Sequence, residues 1–203
     1  MPEAADAAVG GAGSMTGIEP AETVQVRPAG LADAEAVAEV LAAAYRRLLG
    51  IAPEDLSGPE APAGAGAPQW IAPEILASGR YFVAELGDRL IAGGGWSTTV
   101  PGGGSGDAAA PAPGIGHVRD FATHPDCLRR GAARAILART LDSARAAGMV
   151  ELVCVSTTVA APFYAAHGFV EEARSLIRMP GGAPMMVVRM ARPLECDAIQ
   201  LDR

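Results

Sequence analysis

The apolar and polar positions of the first fifty residues predict a strand followed by a long helix. The segment VQVRPA at 24–29 alternates and is rich in β-branched residues, which favours a strand. The helix that follows has an N-cap at Asp33 and ends at Gly50. Its apolar positions recur at the spacing of one helical face: Val37, Val40, Leu41, Ala44 and Leu48.

The next elements are a short helix and a β-hairpin. Residues 69–79 predict a helix that starts or kinks at Pro73. Two β-prone segments, RYFVAEL and RLIAGGGWSTT, then flank the turn residues Gly87 and Asp88. This pattern predicts two antiparallel strands joined by a tight turn.

The second half of the chain predicts a strand, a helix and a second strand, followed by a short helix and a terminal hairpin. The strand at 116–124 precedes a helix at 131–148, and the strand at 150–158 is apolar enough to be buried on both faces. A short right-handed crossover through this helix places the two strands parallel. We therefore predict an α/β fold: a mixed sheet of six to seven strands, with a central parallel pair flanked by helices.

Composition divides the chain into one domain and two tails. Residues 1–22 hold few large apolar side chains, so we expect a disordered tail there, then a domain over 23–194 and a short tail over 195–203. Proline, glycine and alanine dominate 52–68 and 101–114, which predicts loops. A length of 203 residues suits this arrangement.

Charge and composition exclude several classes of protein. The net charge of −7 argues against nucleic acid as a main partner. All 16 basic residues are arginine. No apolar run approaches the roughly 18 residues of a membrane span, and the N-terminus does not resemble a signal peptide, so we expect a cytoplasmic protein with no membrane partner. The three cysteines are far apart in sequence, and no metal-ligand spacing occurs, so we expect reduced thiols and no metal.

Candidate chemistry concentrates at 123–137, where a predicted strand gives way to a helix. The helix start exposes unpaired backbone N–H groups, and Gly131, Ala132 and Ala133 leave them open to close approach. Arginines add positive charge beside them: Arg129, Arg130 and Arg134. An anionic ligand such as a pyrophosphate would fit here. A solvated face of an amphipathic helix explains the arginines equally well on composition alone.

Two motifs resemble the GNAT N-acetyltransferase superfamily. Leu128–Ala133 resembles the loop of that family that binds the pyrophosphate of coenzyme A, with Leu128 where the family prefers Gln or Arg. TVAAPFYAAHGF at 158–169 resembles its second motif, and Thr157 stands where many members have Asn. The resemblance implies acetyl-CoA as acyl donor. It also implies cofactor contacts by the loop, by Thr157 and by the strand backbone at Phe121, Ala122 and Thr123.

The resemblance also implies candidate catalytic residues. Tyr164 matches the tyrosine that protonates the departing thiolate in many members, although a packing role is the alternative. Asp120, on the strand before the loop, is a candidate base that accepts the amine proton through water, or else a structural carboxylate. His117 lies at odd spacing from it on the same strand, which predicts an opposite face and an exposed side chain. His124 and His167 are predicted to be surface residues or helix C-terminal partners.

The sequence thus predicts an acyl-CoA-dependent N-acyltransferase that acetylates a primary amine of a small molecule or peptide. A catalytically weak acyl-CoA-binding sensor or scaffold of the same fold is the alternative. The acidic charge favours a cationic amine as acceptor. An exposed terminal strand leaves a homodimer open.

Overall fold

The computed structural model describes most of the predicted domain, in four segments: residues 23–50, 71–100, 112–178 and 184–195. The predicted N-terminal tail, the loop at 52–68 and most of the linker at 101–114 lie outside these segments, as do residues 196–203 of the predicted C-terminal tail. Statements about structure below refer to these described segments.

The described segments contain seven strands and four α-helices. In chain order they are β1 Val24–Pro28, α1 Ala34–Leu49, α2 Pro73–Ala77, β2 Tyr81–Leu86, β3 Arg89–Ser97, β4 Ile115–Thr123, α3 Ala132–Ala146, β5 Glu151–Thr157, α4 Ala161–Ala165, β6 Val170–Arg178 and β7 Pro184–Pro193. Short 3₁₀ turns occur at Leu31–Asp33 and Pro125–Cys127. None of the helices in these segments has the length and apolar character needed to cross a bilayer.

The strands form one mixed sheet in the order β1-β2-β3-β4-β5-β7-β6. Only β4 and β5 run parallel, and helix α3 connects them. The other neighbours are antiparallel, including the hairpins β2–β3 and β6–β7. The predicted fold class and its central parallel pair are therefore confirmed.

Helices cover both faces of the sheet, as the alternation along β2 shows. Tyr81 and Val83 pack in one cluster with Val37 of α1 and Ile75 of α2. Phe82 and Ala84 point the other way, into a cluster with Ala132 and Ile136 of α3. Because both faces are covered, all four β2 residues are buried, which explains why their sequence is uninterruptedly apolar.

Asp33 is predicted to be the N-cap of α1, but its side chain binds the turn that precedes the helix. Its carboxylate accepts a hydrogen bond from the Gly30 backbone N–H at 2.8 Å and makes no capping hydrogen bond to α1. Arg27 ties the same carboxylate to the sheet, with contacts of 2.7 Å to Asp33 and 2.6 Å to Glu85. These hydrogen bonds hold the pKa of Asp33 below its ordinary value.

Three consecutive glycines in β3 permit close packing at the centre of the sheet. A Cβ at Gly93 would fall 2.8 Å from the Tyr81 hydroxyl, and one at Gly94 would fall 2.5 Å from the Phe121 ring. A Cβ at Gly95 would collide with backbone atoms of Arg80 and Tyr81. The run of glycines is therefore a packing requirement of this site, not a loop signal.

Replacing Gly95 by alanine should destabilise the fold. The obstructing atoms are backbone and cannot rotate away, so we expect a loss of about 2 kcal/mol, or a fall in Tm of about 4–8 °C. Gly30→Ala is the control, because a Cβ there has only one neighbour, at 4.0 Å. Equal melting temperatures of the two variants would contradict this packing role.

Candidate active site

A cleft opens where the parallel strands β4 and β5 part. They pair only over Ile115–His117 and Glu151–Val153, although β4 continues to Thr123 and β5 to Thr157. The gap forms a cleft of about 850 Å³ that is also lined by α1, α4 and the β6–β7 hairpin. The free edge of β4 therefore faces a volume large enough for a ligand.

A bulge in β4 brings consecutive side chains to this cleft. Gly93 pairs with Ala122 and Gly95 with Arg119, so β4 has one residue more than β3 between these pairs. The extra length is absorbed at Asp120, whose φ of +47° is rare for a non-glycine residue. The Tyr81 hydroxyl donates a 2.9 Å hydrogen bond to the Asp120 carbonyl and fixes the bulge.

The carboxylate of Asp120 is partly buried in the cleft wall, with 30% of the side chain exposed. Burial raises the pKa of Asp120 above its ordinary value, and the neighbouring Arg119 opposes this effect only in part. Burial raises the pKa of Tyr45, on the α1 side of the cleft, and the negative charge of Asp120 adds to this because it opposes ionisation of the phenol. A carboxylate with a raised pKa is a better proton acceptor than one in water.

Tyr164 of the short helix α4 also lines the cleft. Its ring is buried and makes edge contacts with Phe163 at 5.2 Å and Phe169 at 5.4 Å between centroids. Burial raises the pKa of Tyr164 well above its ordinary value, so the phenol stays protonated. The structure thus brings Tyr164 and Asp120 into one cleft, from segments more than forty residues apart.

The start of α3 has the open backbone that the sequence predicts. Gly131 precedes the helix with φ of +85°, and no side chain caps the first turn. A Cβ at Gly131 would meet no atom within 4 Å, so the space in front of the helix is open. Arg129, Arg130 and Arg134 are exposed around it, while Ala132 is buried against the core and Ala133 reaches the cleft.

The remaining residues predicted to bind the cofactor also line the cleft. Phe121, Ala122 and Thr123 lie on the β4 edge that β5 leaves unpaired. Thr157 lies at the end of β5, where its hydroxyl oxygen accepts a hydrogen bond from the Ala160 N–H at 3.2 Å. The hydroxyl proton of Thr157 remains available as a donor. Leu128 lies between the cleft and the start of α3 and is half-exposed.

The prediction for His117 is wrong, and the prediction for His167 holds. His117 is buried, because β5 pairs beside it, and burial together with Arg189 and Arg119 lowers its pKa. His167 follows the C-terminal end of α4, and its Nδ1 lies 2.7 Å from the Phe163 carbonyl oxygen. This is the contact predicted for a helix C-terminal partner. Cys154 is a buried packing residue, and burial raises the pKa of its thiol to about 12.

Tyr45 and Arg119 are cleft residues that sequence reasoning missed. Tyr45 follows Ala44 on α1 and lines the cleft. The spacing of apolar residues on this helix gave no sign of a cleft. Arg119 precedes Asp120, and strict strand alternation would put the two side chains on opposite faces. The bulge brings both to the cleft. No group of three or more potential metal ligands lies together in the described segments.

Comparison with known proteins identifies the class to which this fold and cleft belong. Residues 77–171, a little under half of the chain, match the model of the acetyltransferase (GNAT) domain. This segment runs from the end of α2 to the start of β6 and includes both motifs. The resemblance to the GNAT superfamily seen in the sequence is therefore confirmed for this segment. No curated protein sequence matches the chain.

Solved structures share the fold over most of the chain. One is yncA of Salmonella typhimurium with its cofactor acetyl-CoA, at TM-score 0.63 and 16% identity over 87% of this chain and 96% of that one. A GCN5-related N-acetyltransferase of Rhodopseudomonas palustris has TM-score 0.59 and 19% identity over 88% and 100%. The ribosomal-protein-S18-alanine N-acetyltransferase of Escherichia coli has TM-score 0.56 and 16% identity over 89% and 100%.

Proposed function

We propose that this protein is an N-acetyltransferase that transfers an acetyl group from acetyl-CoA to an amine. The observation that carries the proposal is the cleft between β4 and β5. It joins a buried tyrosine and a partly buried aspartate to a helix N-terminus with an open backbone. The GNAT match of residues 77–171 and the likeness to a structure that holds acetyl-CoA support it.

The residues at the start of α3 fit the pyrophosphate of coenzyme A. Backbone N–H groups after Gly131 carry the positive end of the helix dipole, and no side chain competes for them. Arg129, Arg130 and Arg134 would neutralise the phosphate charge. The β4 edge at 121–123 would pair with the pantetheine arm, and Thr157 would donate its hydroxyl proton from the other wall.

Bound acetyl-CoA supplies the acetyl group as an activated thioester. In our proposal Asp120 accepts a proton from the acceptor amine, directly or through water. An alkylamine has a pKa near 10.4, so freeing it at neutral pH costs about 4–5 kcal/mol. The raised pKa of Asp120 reduces the pKa difference between the substrate amine and the base. The position of Asp120 in the cleft wall shields the proton transfer from bulk water.

Tyr164 would hold the proton needed by the departing thiolate. Burial raises the pKa of the phenol, but the same desolvated cleft disfavours a thiolate anion for the same reason. The pKa gap between donor and acceptor therefore changes less than the phenol pKa alone suggests. Tyr164 lines the cleft, where its hydroxyl would donate the proton to the thiolate.

Replacing Tyr164 by phenylalanine should lower kcat about 100-fold, because the proton donor is lost while the ring packing is kept. Affinity for CoA should change less than about twofold, as the ring remains in place. Steady-state kinetics together with CoA titration would separate the two effects. Unchanged turnover would remove Tyr164 from the mechanism and leave it as a packing residue.

The rival function is an acyl-CoA sensor or scaffold without turnover. Two features favour it: apolar Leu128 at the mouth of the phosphate site, and a Thr157 hydroxyl already engaged with Ala160. Thermal stabilisation by CoA tests cofactor binding in both cases. Thiol release from acetyl-CoA with a panel of amines then separates them, and stabilisation without thiol release above background would favour the sensor.

A further inference from the structure

We infer that Arg119 binds an anionic group of the acceptor, so that the substrate is an amine that also carries a carboxylate. The inference rests on the proposed function, since it names the class of acceptor used in that cleft. It starts from the guanidinium of Arg119, which lies in the cleft wall beside Asp120 and makes only long contacts with the described residues.

Arg119 is partly buried in the cleft wall, with 17% of its side chain exposed. Its Nε is fully buried and has no hydrogen-bond partner in the described residues. The nearest carboxylate oxygen, Oδ2 of Asp120, lies 3.8 Å from Nε, beyond hydrogen-bond range. Nη1 makes only a 3.5 Å contact to the Thr99 carbonyl. The guanidinium therefore has donors that no described residue uses, and a ligand in the cleft can reach its exposed part.

The ion pair with Asp120 does not explain why an arginine lies at position 119 in the cleft wall. A strong pair would hold the pKa of the carboxylate below its ordinary value, as Arg27 does for Asp33. The pKa of Asp120 is instead raised, because burial outweighs the attraction of Arg119. Asp120 and Arg119 thus form a loose ion pair at 3.8 Å, which leaves guanidinium donors open to a ligand.

Few charged side chains line the cleft around Arg119. Arg178 also lines the cleft, and Asp120 is the only carboxylate among the described residues that line it. Arg189, whose charge acts on the same His117 as that of Arg119, is paired with Glu172 at 2.8 Å. A planar guanidinium with free donors in this setting suits a carboxylate, which it can bind through two parallel hydrogen bonds.

The position of Arg119 beside Asp120 defines the acceptor further. Asp120 would receive the amine and Arg119 the anion, so the two groups should be close together in the substrate, as in an amino acid. The neighbouring wall from β5 to β7 is mostly apolar, with Val155, Ile177, Met185 and Val187. This wall favours an amino acid with an apolar side chain or apolar neighbours.

The test compares amino acids with their amides as acceptors. Thiol release from acetyl-CoA is measured for each of the common amino acids and for its amide, which keeps the amine but loses the anion. In the wild type the best amino acid should exceed its amide in kcat/KM. In Arg119→Gln the ratio for that pair should fall about 10- to 100-fold, through a higher KM for the amino acid. Comparing ratios cancels differences in amine reactivity.

Two further variants separate ligand binding from folding. Arg119→Lys keeps the positive charge but loses the planar guanidinium with its two parallel donors. Its ratio of kcat/KM for the amino acid to kcat/KM for the amide should therefore lie between the ratios of the wild type and Arg119→Gln. Arg174→Gln is the matched control, since Arg174 is exposed and paired with Glu171 at 2.7 Å. Its ratio should equal that of the wild type. A wild-type ratio unaffected by either substitution at Arg119 would overturn the inference while leaving the proposed function intact.

A binding experiment makes the outcome independent of turnover. If no acceptor gives thiol release, thermal stabilisation by N-acetylated amino acids, compared with their amides in the presence of CoA, becomes the readout. Stabilisation by the acids that Arg119→Gln abolishes would support the anion site even though the proposed function fails. Equal stabilisation by acids and amides, or none by either, would overturn it.

Discussion

Gly131→Glu should weaken CoA binding about 30-fold or more without unfolding the protein. The new carboxylate would lie in the open space before α3 and would repel the pyrophosphate proposed to bind there. Its bulk would also block approach to the backbone N–H groups. Isothermal titration with CoA measures the loss directly, and circular dichroism checks that the helices persist.

The control uses the other end of the same helix. Gly148 also has a left-handed φ, +75° against +85° at Gly131, and a Cβ there also meets nothing within 4 Å. Both substitutions carry a similar backbone strain of about 1–2 kcal/mol. Gly148→Glu should therefore lower Tm to a similar extent but leave CoA affinity unchanged. Equal CoA affinity in the two variants would place the phosphate site elsewhere.

Asp120→Asn should lower kcat/KM for acetyl transfer by about 10²- to 10⁴-fold, because the amide cannot accept the amine proton. The two side chains have nearly the same shape, so packing around the Tyr81 hydrogen bond to the backbone is kept. Steady-state kinetics against any active amine measures the effect. Asp88→Asn, in the exposed turn between β2 and β3, is the matched control and should have wild-type activity.

The pH dependence gives an independent check on Asp120. A base acts in its ionised form, so kcat/KM should rise with pH as the carboxylate loses its proton. Since burial raises the pKa of Asp120, this rise should occur above the ordinary aspartate range near 3.9. The rise should vanish in Asp120→Asn and persist in Asp88→Asn. A profile that Asp120→Asn leaves unchanged would show that another group takes the proton.

Elements and their order could be predicted from the sequence, because their signals are local. The helical face Val37, Val40, Leu41 and Ala44 is buried as its spacing requires. The turn at Gly87 and the helix end at Gly148 have the positive φ that favours glycine. The Asp33 cap was only half predictable, since Asp33 sits at the start of α1 but its carboxylate bonds to Gly30 and Arg27.

The site was predictable only where motifs mark it. The loop at Leu128–Ala133 and the Phe163-Tyr164 pair could be placed because each motif is continuous in sequence. His117 was predicted to be exposed, but pairing of β4 with β5 buries it. No sequence signal indicated that three glycines in β3 make room for Tyr81, Phe121 and the backbone of Arg80.

By itself, the sequence determined the elements, the central crossover and the loop that begins α3, since each depends on the periodicity or turn chemistry of neighbouring residues. Only the tertiary structure decided what faces the cleft. Strict alternation along β4 would place the side chains of Arg119 and Asp120 on opposite faces of the sheet. The bulge at Asp120 brings both side chains to the cleft. The reason is physical: a bulge is stabilised by long-range contacts, here the Tyr81 hydroxyl and the space that Gly94 leaves for Phe121.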